Sequence, residues 1–405
     1  MRQSLFPLRT DLRRGSLQTA ISLPLAFLVF LVLAGCGQPA PATAPERAMD
    51  ITTLLGDENA PGYARAETAC EFIFPRDHGP HPDFRSEWWY FTGNLWDEDL
   101  RRYGFQLTFF RFALSPQAPE RDSAWATNQA YMAHFAITDA GGKTFHGSER
   151  LSRGALDLAG AQADPFRVWL GGWEEASANA DLADAFPSGE SFPWKLEAAE
   201  DNFGLSLVAE PLKEIVLQGD RGLSRKGPQP GNASYYYSIT RIAVRGTLTL
   251  NVESRAVSGT AWFDHEWSTS ALGEDLVGWD WFALQLQDDT DLMYYRLRRT
   301  DGSADPLSEG TLVRPTGESV RLEGEDVAVQ PLDKWRSPAS RAEYPTKWKM
   351  RIEPLGVDLI VRAVIDGQEQ SLSVRYWEGA VDVLDESEIG PLGWGYMELT
   401  GYARP

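Results

Sequence analysis

The chain has 405 residues, 58 of them acidic against 38 basic, and its net charge of −20 argues against nucleic acid or an anionic lipid surface as a partner. With 43% hydrophobic and 24% charged residues it is not a disordered polymer, and its length allows two or three domains with substantial cores. Fifteen Trp within a 12% aromatic fraction point to large β cores, to an indole-lined cavity, or to both.

In chain order, Arg2, Arg9, Arg13 and Arg14 precede the apolar run Leu23–Leu33, which is too short to cross a bilayer and leads into Ala34-Gly35-Cys36. Residues 1–35 therefore read as a secretory signal, with an uncleaved apolar anchor as the alternative; either one tethers the chain to a membrane. Leu33-Ala34-Gly35-Cys36 resembles the lipobox of bacterial lipoproteins, which implies cleavage before Cys36 and lipidation of its thiol. The mature chain would carry 34 basic and 57 acidic residues, a net charge of −23. Gly37 stands where an aspartate commonly retains lipoproteins in the inner membrane. The expected location is thus the periplasmic face of a bacterial envelope, anchored through Cys36, with the outer membrane favoured. A lipidated Cys36 leaves Cys70 with no partner, so no internal disulfide is expected. Residues 36–71 read as a linker, and Gly37–Arg47 within it is a Pro/Ala-rich spacer.

From Phe72 onward the pattern is β: short aromatic and β-branched runs such as Glu87–Trp96, Tyr103–Ala113, Tyr131–Thr138, Ile242–Leu250 and Trp281–Gln287, broken by Gly, Asp, Asn and Pro. Only Glu174–Ala185 is composed like a helix. A weak repeat runs through this region. Glu87–Leu95 and the following GFQLTFFRF match Trp279–Leu286 and LMYYRLR, Phe135–Gly147 matches Thr311–Glu323, and Trp194–Leu207 matches Trp348–Val361. Tyr236-Tyr237 then matches Tyr376-Trp377, and Gly259–Asp264 matches Gly395–Thr400. The common order predicts two tandem β domains, 72–268 and 269–405, each an antiparallel barrel.

The sequence has no G-x-S-x-G elbow, no H-E-x-x-H, no phosphate loop and no C-x-x-C, so a serine hydrolase, a zincin or a nucleotide enzyme is not indicated; no metal and no cofactor are expected. Asp288-Asp289-Thr290-Asp291 reads as a hairpin turn rather than a calcium loop. What remains is Glu87 before Trp88-Trp89-Tyr90, His134 in an apolar strand, Tyr235-Tyr236-Tyr237, and Asp264-His265-Glu266-Trp267. Strand alternation separates Asp264 and Glu266 from His265 and Trp267, and one pair must face inward. If His265 does, burial beside a carboxylate suits it to proton transfer. Glu87 is either a cavity acid or the ion-pair partner of Arg85 or Arg111, and His134 is either a core residue or a catalyst. His78, His81 and His146 lie in turn-rich polar stretches and read as solvated. The second copy has nothing like His265-Glu266-Trp267 after its matching strand, which places the expected site in the first barrel near the junction.

RSEWWYFTGNL, AWFDHEW, WDWFALQL and the late YWEGAV with GWGYMELTGY together resemble the AttH/carotenoid 1,2-hydratase (hydroxyneurosporene synthase) family, over Phe72 to Tyr402. The resemblance implies an all-β fold of two tandem lipocalin-like barrels and, on the hydratase branch, addition of water to a terminal isoprenoid double bond. His265 and Trp267 match the D-H-x-W motif of that branch, and Tyr294 matches a tyrosine further on. The aspartate that follows this tyrosine in the hydratase branch has no counterpart in MYYRLRR. Hydration needs an acid, aromatic faces for the cation and a base for water. By residue type, Glu87 or Asp264 is the expected acid, Trp89, Trp267 and Trp281 the faces, and His265 the base. Trp88 and Tyr237 complete the expected lining for a hydrophobic small molecule, an isoprenoid or lipid. The activity class is hydro-lyase or hydrolase, and the competing reading is a non-catalytic carrier with the same lining.

Overall fold

The computed structural model describes residues 60–178, 192–270, 272–273 and 275–403. The expected signal segment, Cys36 and the Gly37–Arg47 spacer lie outside the described residues. The first sheet takes β1 (Ser86–Asp97), β2 (Arg102–Ala113), β3 (Gln129–Asp139), β4 (Thr144–Arg153), β5 (Ala159–Ala163), β6 (Phe166–Leu170), β7 (Trp173–Ser177), β8 (Trp194–Ala199), β9 (Phe203–Pro211), β10 (Val216–Leu217), β11 (Leu223–Arg225), β12 (Ala233–Leu250) and β13 (Glu253–Ser270). The second takes β14 (Leu276–Leu286), β15 (Asp291–Arg299), β16 (Glu309–Val313), β17 (Ser319–Glu323), β18 (Val327–Arg336), β19 (Glu343–Ile352), β20 (Val357–Ala363), β21 (Glu369–Ser371), β22 (Arg375–Leu384) and β23 (Pro391–Leu399). Among the described residues the only helical turns are two short 3₁₀ segments, Arg76–His78 and Glu353–Leu355.

The strand order is β4-β3-β2-β1-β13-β12-β9-β8-β7-β6-β5 in the first sheet and β17-β16-β15-β14-β23-β22-β20-β19-β18 in the second. The first nine strands of the two orders follow the same path, the first sheet adding β6 and β5, and each pair of segments matched in the sequence repeat occupies equivalent strands of the two sheets. In the first sheet β5 and β6 come back against β3 and β4, which nearly closes a barrel. The architecture is therefore all-β, two tandem lipocalin-like antiparallel barrels. The helical reading of Glu174–Ala185 gives way where it can be followed. Residues 173–177 are strand β7, paired to β6 and β8, and its alternation buries Trp173 and Glu175.

Three apolar layers follow from this arrangement. Trp89, Phe91, Phe109, Trp173, Trp194, Tyr237, Phe263 and Trp267 fill the first barrel, and Phe282, Tyr294, Tyr344, Trp348 and Trp377 fill the second. A third cluster, with Tyr90, Tyr236, Trp262, Trp281, Tyr295 and Tyr396, lies between them. β1, β14 and the second half of β13 thus bury both faces, which accounts for the dense aromatic and apolar runs of β1 and β14. The barrels approach closely at Gly104, where a Cβ would lie 2.7 Å from the Ala380 Cβ. Asp291, at the end of the predicted acidic hairpin, helps hold them together. Its carboxylate meets Arg241 Nη2 at 2.7 Å and Lys213 Nζ at 2.8 Å, charge-assisted contacts that cross from the first sheet to the second.

Candidate functional site

β13 divides the candidate residues between two surroundings. In its pairing with β1, His265 stands opposite Trp89 and Asp264 opposite Tyr90; in its pairing with β12, His265 stands opposite Tyr237 and Asp264 opposite Ser238. Neighbours across a ladder share a face, so His265, Trp89 and Tyr237 enter the first barrel while Asp264, Tyr90 and Tyr236 face the layer between barrels. The expectation that one of the two pairs faces inward is met by both, each in a different core.

Between the barrels lies a pocket with a free volume of about 80 Å³, walled by Trp88, Tyr90, Phe110, Tyr236, Trp281 and Tyr295, with Asp264, Glu266, Glu398 and Lys226 as its ionisable groups. Asp264 accepts hydrogen bonds from Tyr236 Oη (2.6 Å), Ser238 Oγ (2.5 Å) and Trp262 Nε1 (2.7 Å). Burial nevertheless dominates and pushes its carboxyl up to about 7, helped by the charge of Glu266. Glu398, which accepts from Trp279 Nε1 at 2.8 Å, is raised to about 8 by burial and by the acids opposite. Glu378, paired with Glu398 across β22 and β23, is raised well above the carboxylate range by burial and by Glu398. The one lysine lining this pocket sits 3.2 Å from Glu266 and 3.9 Å from the Tyr295 ring centroid. Asp264 and Glu398, buried in an apolar wall, keep their protons near neutral pH, and Asp264 presents its proton beside the Trp281 and Tyr236 rings.

The other face is charge-paired. Glu87 Oε2 accepts from Arg111 Nε at 2.7 Å, and its Oε1 lies 2.7 Å from His81 Nδ1 and 3.0 Å from His265 Nε2. Burial alone would raise the Glu87 carboxyl, but Arg111 and His81 hold it well below the usual range, so it is an ionised structural partner and a poor acid. Burial lowers His265 to about 4, against the opposing pull of Glu87. His265 Nδ1 faces the Asp77 carbonyl at 3.1 Å and the Tyr237 hydroxyl at 3.3 Å, and Trp89 stacks on the ring at 4.8 Å. His78 and His81, expected in solvent, are drawn in because the 3₁₀ turn at Arg76–His78 packs against the mouth of the first barrel. The His78 side chain is fully buried, with Nδ1 2.7 Å from Tyr237 Oη. The His81 side chain is 18% exposed and stacks on Trp267 at 3.6 Å.

Of the predicted site residues, the structure brings Glu87, His265, Trp89, Tyr237 and Trp267 together in the first barrel, and Asp264, Trp88 and Trp281 together in the pocket between barrels. His134 belongs to neither. It is buried with Nδ1 2.7 Å from Tyr376 Oη and Nε2 3.1 Å from Glu149, a satisfied residue between sheets. Tyr294 lies in the core of the second barrel, and its chain neighbour Tyr295 is the one that reaches the pocket, because adjacent strand residues point to opposite faces. Tyr295, Trp279, Lys226 and Glu398 line the same pocket without being among the residues expected from the sequence. A signal existed for Glu398, an acid inside the strand Tyr396-Met397-Glu398-Leu399, whereas Lys226 sits in a loop with no local pattern.

The model of the AttH-like family matches residues 65–402. The crystal structure of a candidate AttH from Nitrosomonas europaea superposes with a TM-score of 0.72 at 32% identity, covering 84% of this chain and 99% of that one. Kievitone hydratase from Nectria haematococca superposes with a TM-score of 0.60 at 15% identity over 85% of this chain and 98% of its own, a likeness of fold alone. A comparison with curated proteins gives no match.

Proposed function

The chain belongs to the AttH-like family, and we propose that it takes one end of a hydrophobic alkene, an isoprenoid or lipid-like chain, into the pocket between its barrels and adds water to the double bond. The observation that carries this reading is Asp264, a carboxyl held up to about 7 in a wall of indoles and phenols. In the proposed step the Asp264 carboxyl gives its proton to one alkene carbon, and the Trp281 and Tyr236 ring faces stabilise the resulting tertiary cation. Water adds to the cation, and its surplus proton returns to the Asp264 carboxylate, so that alkene and water are consumed and one alcohol is formed. Asp264 takes the role of acid in preference to Glu87, whose charge is fixed by Arg111, and a separate base at His265 is not required. The pocket volume of about 80 Å³ suits the end of a chain, with the remainder lying outside. Anchoring through Cys36 at the periplasmic face of an envelope is part of the proposal, and it would keep the pocket near membrane-dissolved substrates.

A second reading, a non-catalytic carrier for the same ligands, has its own support. Three donors already engage Asp264, as they would a residue that only shapes the wall. Incubating the purified protein with terminal isoprenoid alkenes in ¹⁸O-labelled water separates the two. Hydration yields an alcohol carrying the label; a carrier returns unchanged alkene while its Trp fluorescence responds to binding. If neither label nor fluorescence change appears, both readings fail.

A further inference from the structure

We infer that His81, Glu87 and His265 form a binding site for a divalent transition-metal ion of the zinc class at the mouth of the first barrel, with Asp77 as the outer partner of both histidines. One ligand atom from each of the three residues lies within 4.8 Å of the other two, and Glu87 Oε1 is 2.7 Å from His81 Nδ1 and 3.0 Å from His265 Nε2. They come from a loop, from β1 and from β13, so no sequence spacing announces them.

The hydrogen bonds around the three side chains leave donors and acceptors mismatched. The Asp77 carbonyl, 3.1 Å from His265 Nδ1, accepts only, so Nδ1 carries the hydrogen of a neutral ring. Nε2 then presents a lone pair to the lone pairs of Glu87 Oε1 at 3.0 Å. Tyr237 has a single hydroxyl hydrogen to offer, and its 2.7 Å contact to His78 Nδ1 is a better use of it than the 3.3 Å contact to His265. His81 repeats the pattern, with Nδ1 2.7 Å from Glu87 Oε1 and Nε2 3.6 Å from the Asp77 carboxylate. Two rings that each aim one nitrogen at the same carboxylate oxygen, with acceptors on their far sides, mark a place where a positive charge is stabilised, carried either by a proton on His81 or by a metal ion seated between the rings.

The groups around the three side chains also suit a metal. Histidines that bind metals turn their remote nitrogen to a carbonyl or carboxylate, which sets tautomer and ring orientation. Asp77 supplies both kinds of acceptor, its carbonyl to His265 and its carboxylate to His81. Arg111 engages Glu87 through Oε2, and the His81 backbone N–H donates to Oε1 at 3.1 Å and Oε2 at 3.0 Å, which fixes the carboxylate with Oε1 turned between the two rings. The rings are held in plane by Trp267, 3.6 Å from His81 at 5°, and by Trp89, 4.8 Å from His265 at 22°. Two imidazoles and one carboxylate are a donor set suited to zinc, and the partly exposed side of His81 leaves a fourth position for water. Such an ion would tie the loop at 77–81 to β1 and β13. The donors face away from the pocket between barrels, so this inference is independent of the proposed hydration.

The test is to strip the purified protein with EDTA and titrate it with Zn²⁺, and in parallel with Co²⁺ as a spectroscopic stand-in. One equivalent should bind, with the visible absorption of a tetrahedral Co²⁺ site. Asp77→Asn should weaken binding by about 10- to 100-fold. His81→Ala should remove stoichiometric binding altogether, with far-ultraviolet circular dichroism confirming that it folds; His146→Ala, at a histidine outside the cluster, should change nothing. Absence of stoichiometric binding in the folded wild type, or undiminished binding in folded His81→Ala, overturns the site.

Discussion

Two carboxylates one strand apart, Glu87 on β1 and Asp264 on β13, are both buried and yet held in opposite charge states. Glu87 touches Arg111 and two imidazoles, and these partners keep it ionised despite complete burial. Asp264 has only neutral hydrogen-bond donors and faces other acids, so desolvation prevails and its proton stays on to about 7. The contrast shows that burial alone does not make an acid. The sign of the nearest charge decides, and that sign differs between the two faces of the same ladder.

The largest expected effect would break the comparison on the pocket side. Asp264→Asn keeps the size of the side chain but removes the transferable proton, and should lower the rate of hydration by about 10²- to 10⁴-fold, measured as label incorporation. Ligand affinity, read from Trp fluorescence, should survive; an unchanged rate would reduce Asp264 to a wall residue. On the barrel side, Glu87→Gln leaves Arg111 buried without its counter-charge and should cost about 3–5 kcal/mol of stability in urea unfolding. The folded fraction should still answer to ligand.

The pH dependence sharpens the contrast further. Asp264 is raised in the folded state, so its protonated form, and the stability it contributes, is fully present below its ordinary value of 3.8 and lost as pH rises through about 7. The hydration rate should therefore fall about tenfold per pH unit above 7. A rate that climbs through that range would point to a base. The smallest effect is expected at Tyr294→Phe, inside the second barrel, with no change in turnover and about 1 kcal/mol or less in stability. Tyr295→Leu, one residue on, removes a ring that lines the pocket and should weaken ligand binding. Equal effects at the two positions would contradict the facing assigned to β15.

Much of the fold is legible in the chain because antiparallel strands leave a period-two signature and turns punctuate it. The repeat is legible because both barrels reuse one strand order, from EWWYFTGNL and WDWFALQL to the closing strands. The candidate site is legible only in part. Asp264 and His265 stand out as polar residues in an aromatic run, but their partners Asp77, His81, Lys226 and Glu398 come from two loops and a strand of the other barrel, far off in sequence. Expecting His81 in solvent follows from reading HGPHPDF as a turn; the turn is real, but it lies against the barrel mouth with Trp267 stacked on the ring.

What the amino-acid sequence determined by itself is the set of strands, their duplication and the division of β13 into two residue sets, since alternation is a local property of extended backbone. What only the tertiary structure decided is what each set meets. A strand buried on both faces carries no local mark of which side holds Arg111 and which side holds other acids, and that choice, made by packing one barrel against the other, separates the paired Glu87 from the proton-bearing Asp264.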